Sequence, residues 1–249
     1  MDLGRVIAVR NTKTVYRSND KSVKLFVENY PKPSILNEAL NLARVEEVGL
    51  NIPKLQEVTK IDGRWAIVSE YVEGKNLETL MLENPDKKDE YMNMFVDLQL
   101  KVLSHEAPAM LNKLKEKMKR KIADANLNDT IKYELNTRLE SMPTHSKLCH
   151  GDFNPSNVIV KDDGELYIID WAHVTAGNAS ADAARTYLVF WINGKIDDAE
   201  KYLDLFAEKS GIEKKNIQRW IPIVAASQLS KGNEKEREFL MQWIDVIEY

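Results

Sequence analysis

Apolar residues alternate with polar ones along three short runs, 4–9, 14–17 and 22–27, joined by polar turns of which the second is Ser18-Asn19-Asp20. This pattern predicts the first strands of a small antiparallel sheet. In the third run Val23, Leu25 and Val27 share one face, and Lys24 lies on the other with Phe26. Runs 55–60 and 65–71 flank the turn sequence Ile61-Asp62-Gly63-Arg64 and complete a five-stranded sheet. Between these groups a helix is expected from Ser34, an N-cap behind Pro31 and Pro33, to about residue 48, ahead of Gly49. Its stripe of Ile35, Glu38, Leu42 and Val45 places a carboxylate within an otherwise apolar face, and Glu38 there calls for a partner.

Gly74 is a natural breakpoint, and from 76 to 141 the period becomes helical. Tyr91, Phe95, Leu98 and Val102 recur at helical spacing, and Ile131, Leu135 and Leu139 mark a second helix. The basic segment 113–121 is threaded by Leu111, Leu114, Met118 and Ile122, which reads as a helix with a solvated basic face. Ser180-Ala181-Asp182-Ala183-Ala184-Arg185 opens another helix; Ile217, Trp220, Ile221 and Val224 mark a later one, and Leu240, Trp243 and Ile247 the last. The expected class is α+β, with an N-terminal β-sheet lobe carrying one helix at 1–73 and a larger, mainly helical lobe at 74–249.

The chemistry concentrates between 148 and 170. His150-Gly151-Asp152 is followed by Asn157, by two β-branched runs around Asp162-Asp163-Gly164, and by Asp170. An Asp-Gly turn between such runs predicts a hairpin. With Val160 opposite Leu166, Asn157 and Asp170 become diagonal neighbours, near enough to share one cation. An amide oxygen and a carboxylate that converge beside a further aspartate suit phosphoryl transfer. Magnesium takes hard oxygen ligands, and the second carboxylate accepts the proton of the attacking hydroxyl. Singly, His150 suits a structural histidine, Asp152 and Asn157 turns, and Asp170 a helix cap. As an ordered set around a hairpin they point to phosphotransfer.

His150-Gly151-Asp152-x-x-x-x-Asn157 with Asp170 resembles the catalytic and metal loops of the aminoglycoside phosphotransferase and choline kinase family. The likeness to protein kinases is more distant, because Gly151 stands where their arginine would be and Trp171-Ala172 follows Asp170. The resemblance implies a protein-kinase-like bilobal fold and transfer of the γ-phosphate of ATP or GTP, with Mg2+, to a hydroxyl of a small molecule. Aminoglycosides, choline-like amino-alcohols and sugars are the acceptor classes it implies. Asp152, with His150, would be catalytic, and Asn157 and Asp170 would hold the metal. Lys24 paired with Glu38 would steady the nucleotide, although Lys24 could also snorkel beside a solvated Glu38. Glu70 and Val72, in Glu70-Tyr71-Val72-Glu73-Gly74, would hold the adenine, and the turn Arg10-Asn11-Thr12-Lys13, with Thr12 as its nucleotide-binding residue, would cover the phosphates. Asp182, with Gly177 and Ala184, resembles the family's segment whose aspartate supports the catalytic loop; its place in a first helical turn suits a carboxylate equally well.

The sequence has no G-x-G and no G-x-x-x-x-G-K-[ST], so it lacks a protein-kinase glycine-rich loop and a P-loop. Eleven residues separate Asp170 from Asp182 and no Ala-Pro-Glu follows, which leaves little room for a regulated activation segment and favours a small acceptor. A nucleotide-binding pseudokinase and an atypical protein kinase are the alternative readings. Tyr187, Trp191, Trp220 and Trp243, with Asp245 and Glu248, suit a cationic acceptor, although tryptophans at helical spacing also read as core.

Composition narrows the rest. Of 249 residues, 43% are apolar and 30% charged, as in a soluble globular chain. A net charge of -4 gives no case for nucleic acid. No apolar run approaches a membrane span and Met1-Asp2-Leu3-Gly4-Arg5 begins no signal peptide, so a cytoplasmic protein with no membrane partner is expected. The single cysteine, Cys149, excludes an internal disulfide and a cysteine-cluster metal site, and at the end of an apolar run it is expected to be buried rather than nucleophilic.

Overall fold

The structure is a computed structural model that describes residues 3–244, so the expectations placed on Asp245, Ile247 and Glu248 lie outside the described residues. Strands β1 (Arg5–Val9), β2 (Lys13–Ser18) and β3 (Lys21–Phe26) precede helix α1 (Lys32–Glu46). Next come β4 (Leu55–Ile61), β5 (Arg64–Glu70), the short β6 (Lys75–Asn76) and α2 (Leu77–Glu83). Helices α3 (Lys88–Ser104), α4 (Leu114–Asp124) and α5 (Asp129–Ser141) lead to β7 (Lys147–Cys149), then β8 (Val158–Val160), β9 (Leu166–Ile168) and β10 (Thr175–Gly177). The chain continues through α6 (Ala179–Ile192), α7 (Ile196–Ser210), α8 (Lys214–Gln218), α9 (Ile221–Leu229) and α10 (Glu234–Ile244). The α+β class expected from the pattern is what forms.

Two compact units divide the chain: one holds the residues up to Lys87 together with Pro155–His173, the other Lys88–Asn154 and the residues from Val174 onward. The first unit is built on a five-stranded antiparallel sheet in the order β1-β2-β3-β5-β4. Alternation along β3 divides its residues between two cores. Val23 and Leu25 pack with Ile61, Ala66 and Val68, whereas Phe26 packs with Ile67, Ile35 and Ala39. Each such side chain taken from water stabilises by roughly 1.5–3 kcal/mol. Lys24, opposite Ile67, is thereby committed to the face that α1 covers.

Helix α1 begins two residues before the expected Ser34. Pro31 occupies the N-cap without a side-chain cap, and Pro33 falls in the first turn, where a missing N–H costs no helical hydrogen bond. The hairpin forms with Val158 opposite Ile168 and Val160 opposite Leu166, the register read from the sequence. Strand β6 pairs with β8, Lys75 lying opposite Val160. That pairing needs a glycine before it: a Cβ on Gly74 would lie 2.4 Å from the Val160 carbonyl oxygen, and Gly74 has φ 149°.

In the second unit the rings of Phe95, Phe153, Phe190 and Tyr202 pack at centroid distances between 4.8 and 6.1 Å. Cys149 is buried as expected, and burial pushes its thiol well above its usual pKa. No helix among the described residues is long and apolar enough to cross a membrane.

Gly74→Ala should lower the stability of the first unit by about 1–3 kcal/mol, because the new methyl meets backbone that β6 pairing holds in place. Urea denaturation checks this, and an unchanged midpoint would show that the β6–β8 contact yields without cost.

Candidate active site

Each end of the hairpin is tied to the other. The Ile169 N–H donates to the Asn157 carbonyl at 2.9 Å, which sets the residue after Ile169 beside Asn157. That residue, Asp170, has φ 63°, a left-handed backbone that aspartate adopts more readily than most residues but at a cost of about 1–2 kcal/mol. The surrounding contacts hold it there.

Four charges meet at Asp170. Its carboxylate takes the Lys24 ammonium at 3.0 Å and the Lys13 ammonium at 3.4 Å; Glu38 pairs closely with Lys24 and stands 3.8 Å from Lys13. Burial alone would push the Asp170 carboxyl up, but the ammoniums of Lys24 and Lys13 outweigh it and hold that carboxyl well below the usual range. Burial would likewise lower Lys24, and Asp170 with Glu38 reverses this and raises it. Lys13 is lowered, first by burial and then by repulsion from Lys24. The quartet is therefore neutral overall, and Lys24 is its most firmly held cation.

These side chains line one cavity of about 750 Å³ within the first unit. Glu70, Tyr71 and Val72 line it, as do Ser156, Asn157 and Asp170. The Glu70 carboxylate accepts from the Lys54 N–H at 3.1 Å, which leaves the strand's end fixed. Thr12 is exposed, its carbonyl accepting from Val27, and it does not line the cavity; Arg10 and Lys13 do. Among the described residues no three His, Cys, Asp or Glu side chains gather as a metal site, so a cation here depends on Asn157 and Asp170 with oxygens from a ligand. Two hard oxygen donors fit magnesium, which keeps waters and phosphate oxygens and takes few protein ligands.

The second unit builds the loop that carries Asp152. Gly151 has φ 79°, which only a residue without a Cβ takes freely, and its N–H donates to the Asp182 carboxylate at 2.7 Å. The Asp152 N–H donates to Nδ1 of His150 at 3.2 Å, and His150 is fully buried, so it shapes the loop and presents nothing to a ligand. Thr186 donates to the Phe153 carbonyl at 2.7 Å and Asn154 to the Asp152 carbonyl at 2.9 Å. Behind the loop, the Gln99 amide donates to Asp182 and to Thr186, both at 3.2 Å, and accepts from the Tyr202 hydroxyl at 2.7 Å. Asp182 is buried, which raises its carboxyl against the opposing pull of His150, Gly151 and Gln99. The Asp152 carboxylate is one-quarter exposed and takes one arm of Arg185 at 2.9 Å.

The sequence profile of the phosphotransferase enzyme family matches residues 5–214. The chain belongs to that family. Aminoglycoside phosphotransferase APH(4)-Ia, in a thermostable mutant solved with ADP and hygromycin B, is similar over 98% of this chain and 92% of its own, at TM-score 0.69 and 15% identity. Choline kinase LicA from Streptococcus pneumoniae is similar over 96% and 91%, at TM-score 0.65 and 14% identity. A choline/ethanolamine kinase family protein from Mesorhizobium loti covers 97% of this chain with 85% of its own, at TM-score 0.60 and 14% identity. Among curated proteins none matches. The protein-kinase-like fold expected from the central loop is borne out, as is a small-molecule kinase at the level of the family.

For this phosphotransferase the aromatic residues fall differently from expectation. Trp220 is a core residue, 1% exposed, and Trp191 packs edge-on against Trp243 at 5.4 Å. Tyr187 donates its hydroxyl to Glu200 at 2.6 Å. Tyr187 and Trp243 line a second cavity of about 640 Å³ within the second unit, whose charged side chains are Glu134, Glu200, Arg138 and Arg219. Two carboxylates and two guanidiniums leave it without a sign preference, and Asp152 does not line it.

Sequence reasoning named Lys13 only as part of the turn expected to cover the phosphates, and it missed Gln99, Thr186, Arg185 and Tyr202. Only Gln99 carried a signal, as a polar residue four positions from Phe95 in an apolar stripe. Gln99→Leu should destabilise by about 2–4 kcal/mol, because it leaves the buried Tyr202 hydroxyl without the Gln99 acceptor and Asp182 without one of its donors. Chemical denaturation of the full chain measures this; a loss under about 0.5 kcal/mol would mean the buried polar groups find other partners.

Proposed function

We propose that the protein transfers the γ-phosphate of ATP or GTP to a hydroxyl of a small molecule, with residues 1–73 holding the nucleotide and 74–249 carrying the catalytic loop and the acceptor site. The observation that carries this is the hairpin, which ties Asn157 to Asp170 and sets both in one cavity with the Lys24–Glu38 pair. The complex of APH(4)-Ia with ADP and hygromycin B supports the reading from the side of the fold.

The assigned roles follow from chemistry. Lys24, oriented by Glu38, binds the nucleotide phosphates, and Glu70 at the end of β5 and Val72 just beyond it hold the base through their backbone. Lys13 adds a second cation on the same cavity, in the place that Thr12 was expected to take. Asn157 and Asp170 would hold magnesium, which when bound would supply charge neutralisation of the phosphates. Asp152 accepts the acceptor's hydroxyl proton while the new oxygen–phosphorus bond forms. The bond from the γ-phosphorus to its bridging oxygen breaks, and the electron pair leaves on the nucleoside diphosphate. His150 and Asp182 are positioning residues: they fix the backbone on either side of Asp152.

Asp152→Asn should lower kcat about 10²- to 10⁴-fold while nucleotide still binds, because a positioned proton acceptor is lost and the side-chain volume is kept. Asp170→Ala should instead shift the magnesium concentration needed for nucleotide binding upward. Kinetics where chemistry limits turnover, together with magnesium titrations of nucleotide affinity, separate the two roles. A kcat within about threefold of wild type in Asp152→Asn would remove the proton-acceptor role.

A further inference from the structure

Cations from three elements lie within electrostatic reach of one another in the second unit, and one of them pairs with Asp152. Arg185 follows Asp182 by one turn of α6 and gives Asp152 one arm of its fork at 2.9 Å. Its other terminal nitrogen, Nη1, is buried without a hydrogen-bond partner. A guanidinium presents two arms to oxyanions, and here one arm is held by Asp152 while the other is an unsatisfied donor. On α4, Lys117 and Lys121 stand four residues apart and so share a face. Lys231, just after α9, lies within electrostatic reach of both Arg185 and Asp152.

The segment 113–121 was expected to present a solvated basic face, and within it Lys117 is half-buried. It flanks the buried stripe of Leu114, Met118 and Ile122, and its ammonium is pushed down to about 7 by burial first, then by Lys121, Lys231 and Arg185. Asp182 offsets part of this at Lys117, and Asp152 and Glu236 do so at Lys231, which leaves the four cations facing fewer carboxylates than their own number. Like charges held this close repel, and an incoming anion relieves the repulsion. The cavity that combines aromatic rings with carboxylates does not include Asp152, whereas an acceptor hydroxyl must reach it.

We propose that the acceptor is an anion: Lys117, Lys121, Arg185 and Lys231 receive a phosphate or carboxylate group carried by the hydroxylated substrate and so bring its hydroxyl to Asp152. This rests on the phosphotransferase reading and names the substrate class of that same site. It also replaces the cationic acceptor suggested by the tryptophans.

A matched set of three-carbon probes tests it: glycerol 3-phosphate, glycerate, glycerol and 3-aminopropane-1,2-diol, titrated calorimetrically into the full chain without nucleotide. Both anions should bind at least about tenfold more tightly than the neutral and ammonium compounds, and added sodium chloride should weaken them. Lys121→Met combined with Lys231→Met, both outside the core, should weaken the anions by at least about tenfold. Lys231→Glu alone should do so in the same direction. Binding of the ammonium or neutral compound as tight as that of the anions, or equal behaviour of wild type and the double variant, overturns the proposal. Ester formation with magnesium and ATP is a separate readout: cluster-dependent anion binding without any transfer counts against the phosphotransferase reading and leaves the anion site standing.

Discussion

Lys24 carries its ammonium out of water, and a charge so placed is tolerated only where opposite charges meet it. Glu38 and Asp170 meet it, one from α1 and one from the end of the hairpin, and much of the first unit's detail exists to bring them there. Alternation along β3 aims Lys24 at α1. The apolar packing of Ile35 and Ala39 against Phe26 and Ile67 fixes α1 at the distance Glu38 needs. The Asn157–Ile169 hydrogen bond and the left-handed backbone of Asp170 turn the second carboxylate inward. Lys13 brings the local charge to zero.

A second device of the same kind holds the loop at 150–154. Asp182 is buried and would be costly alone; it accepts from the Gly151 backbone and from Gln99, and Gln99 is in turn satisfied by Tyr202. A closed set of buried hydrogen bonds is rigid because no member can leave without stranding another. The loop's backbone is thus fixed by groups that never touch a ligand, while the Asp152 side chain stays accessible. Both suggestions for Asp182 hold together, since it lies in the first turn of α6 and anchors the loop.

Where the sequence was legible, local chemistry was sufficient. The Asp-Gly turn and its β-branched flanks determine the hairpin register, and register alone brings Asn157 and Asp170 together. Lys24 and Glu38 were readable because period-2 and period-3.6 patterns each leave one charged residue on an apolar face. Lys13, four positions after Val9, looked like any polar turn residue, and nothing local distinguishes it from Thr12. Arg185 meets Asp152 across 33 residues, and Gln99 meets Asp182 across 83, distances over which periodicity carries no information. Lys117 is half-buried because a helical stripe has edges, and it lies beside Leu114 and Met118 at one of them. The start of α1 was misplaced because two prolines were taken as preceding the helix, when Pro31 is its N-cap and Pro33 lies in its first turn.

The central claim is that this chain moves a phosphoryl group from a nucleotide to an alcohol. Phosphorus NMR of the wild-type protein with magnesium, ATP and a mixture of hydroxylated acceptors, anionic ones included, tests it most directly. The account predicts a phosphate-monoester resonance that grows in step with ADP. ATP left intact, or ATP split to inorganic phosphate with no ester formed, would contradict it.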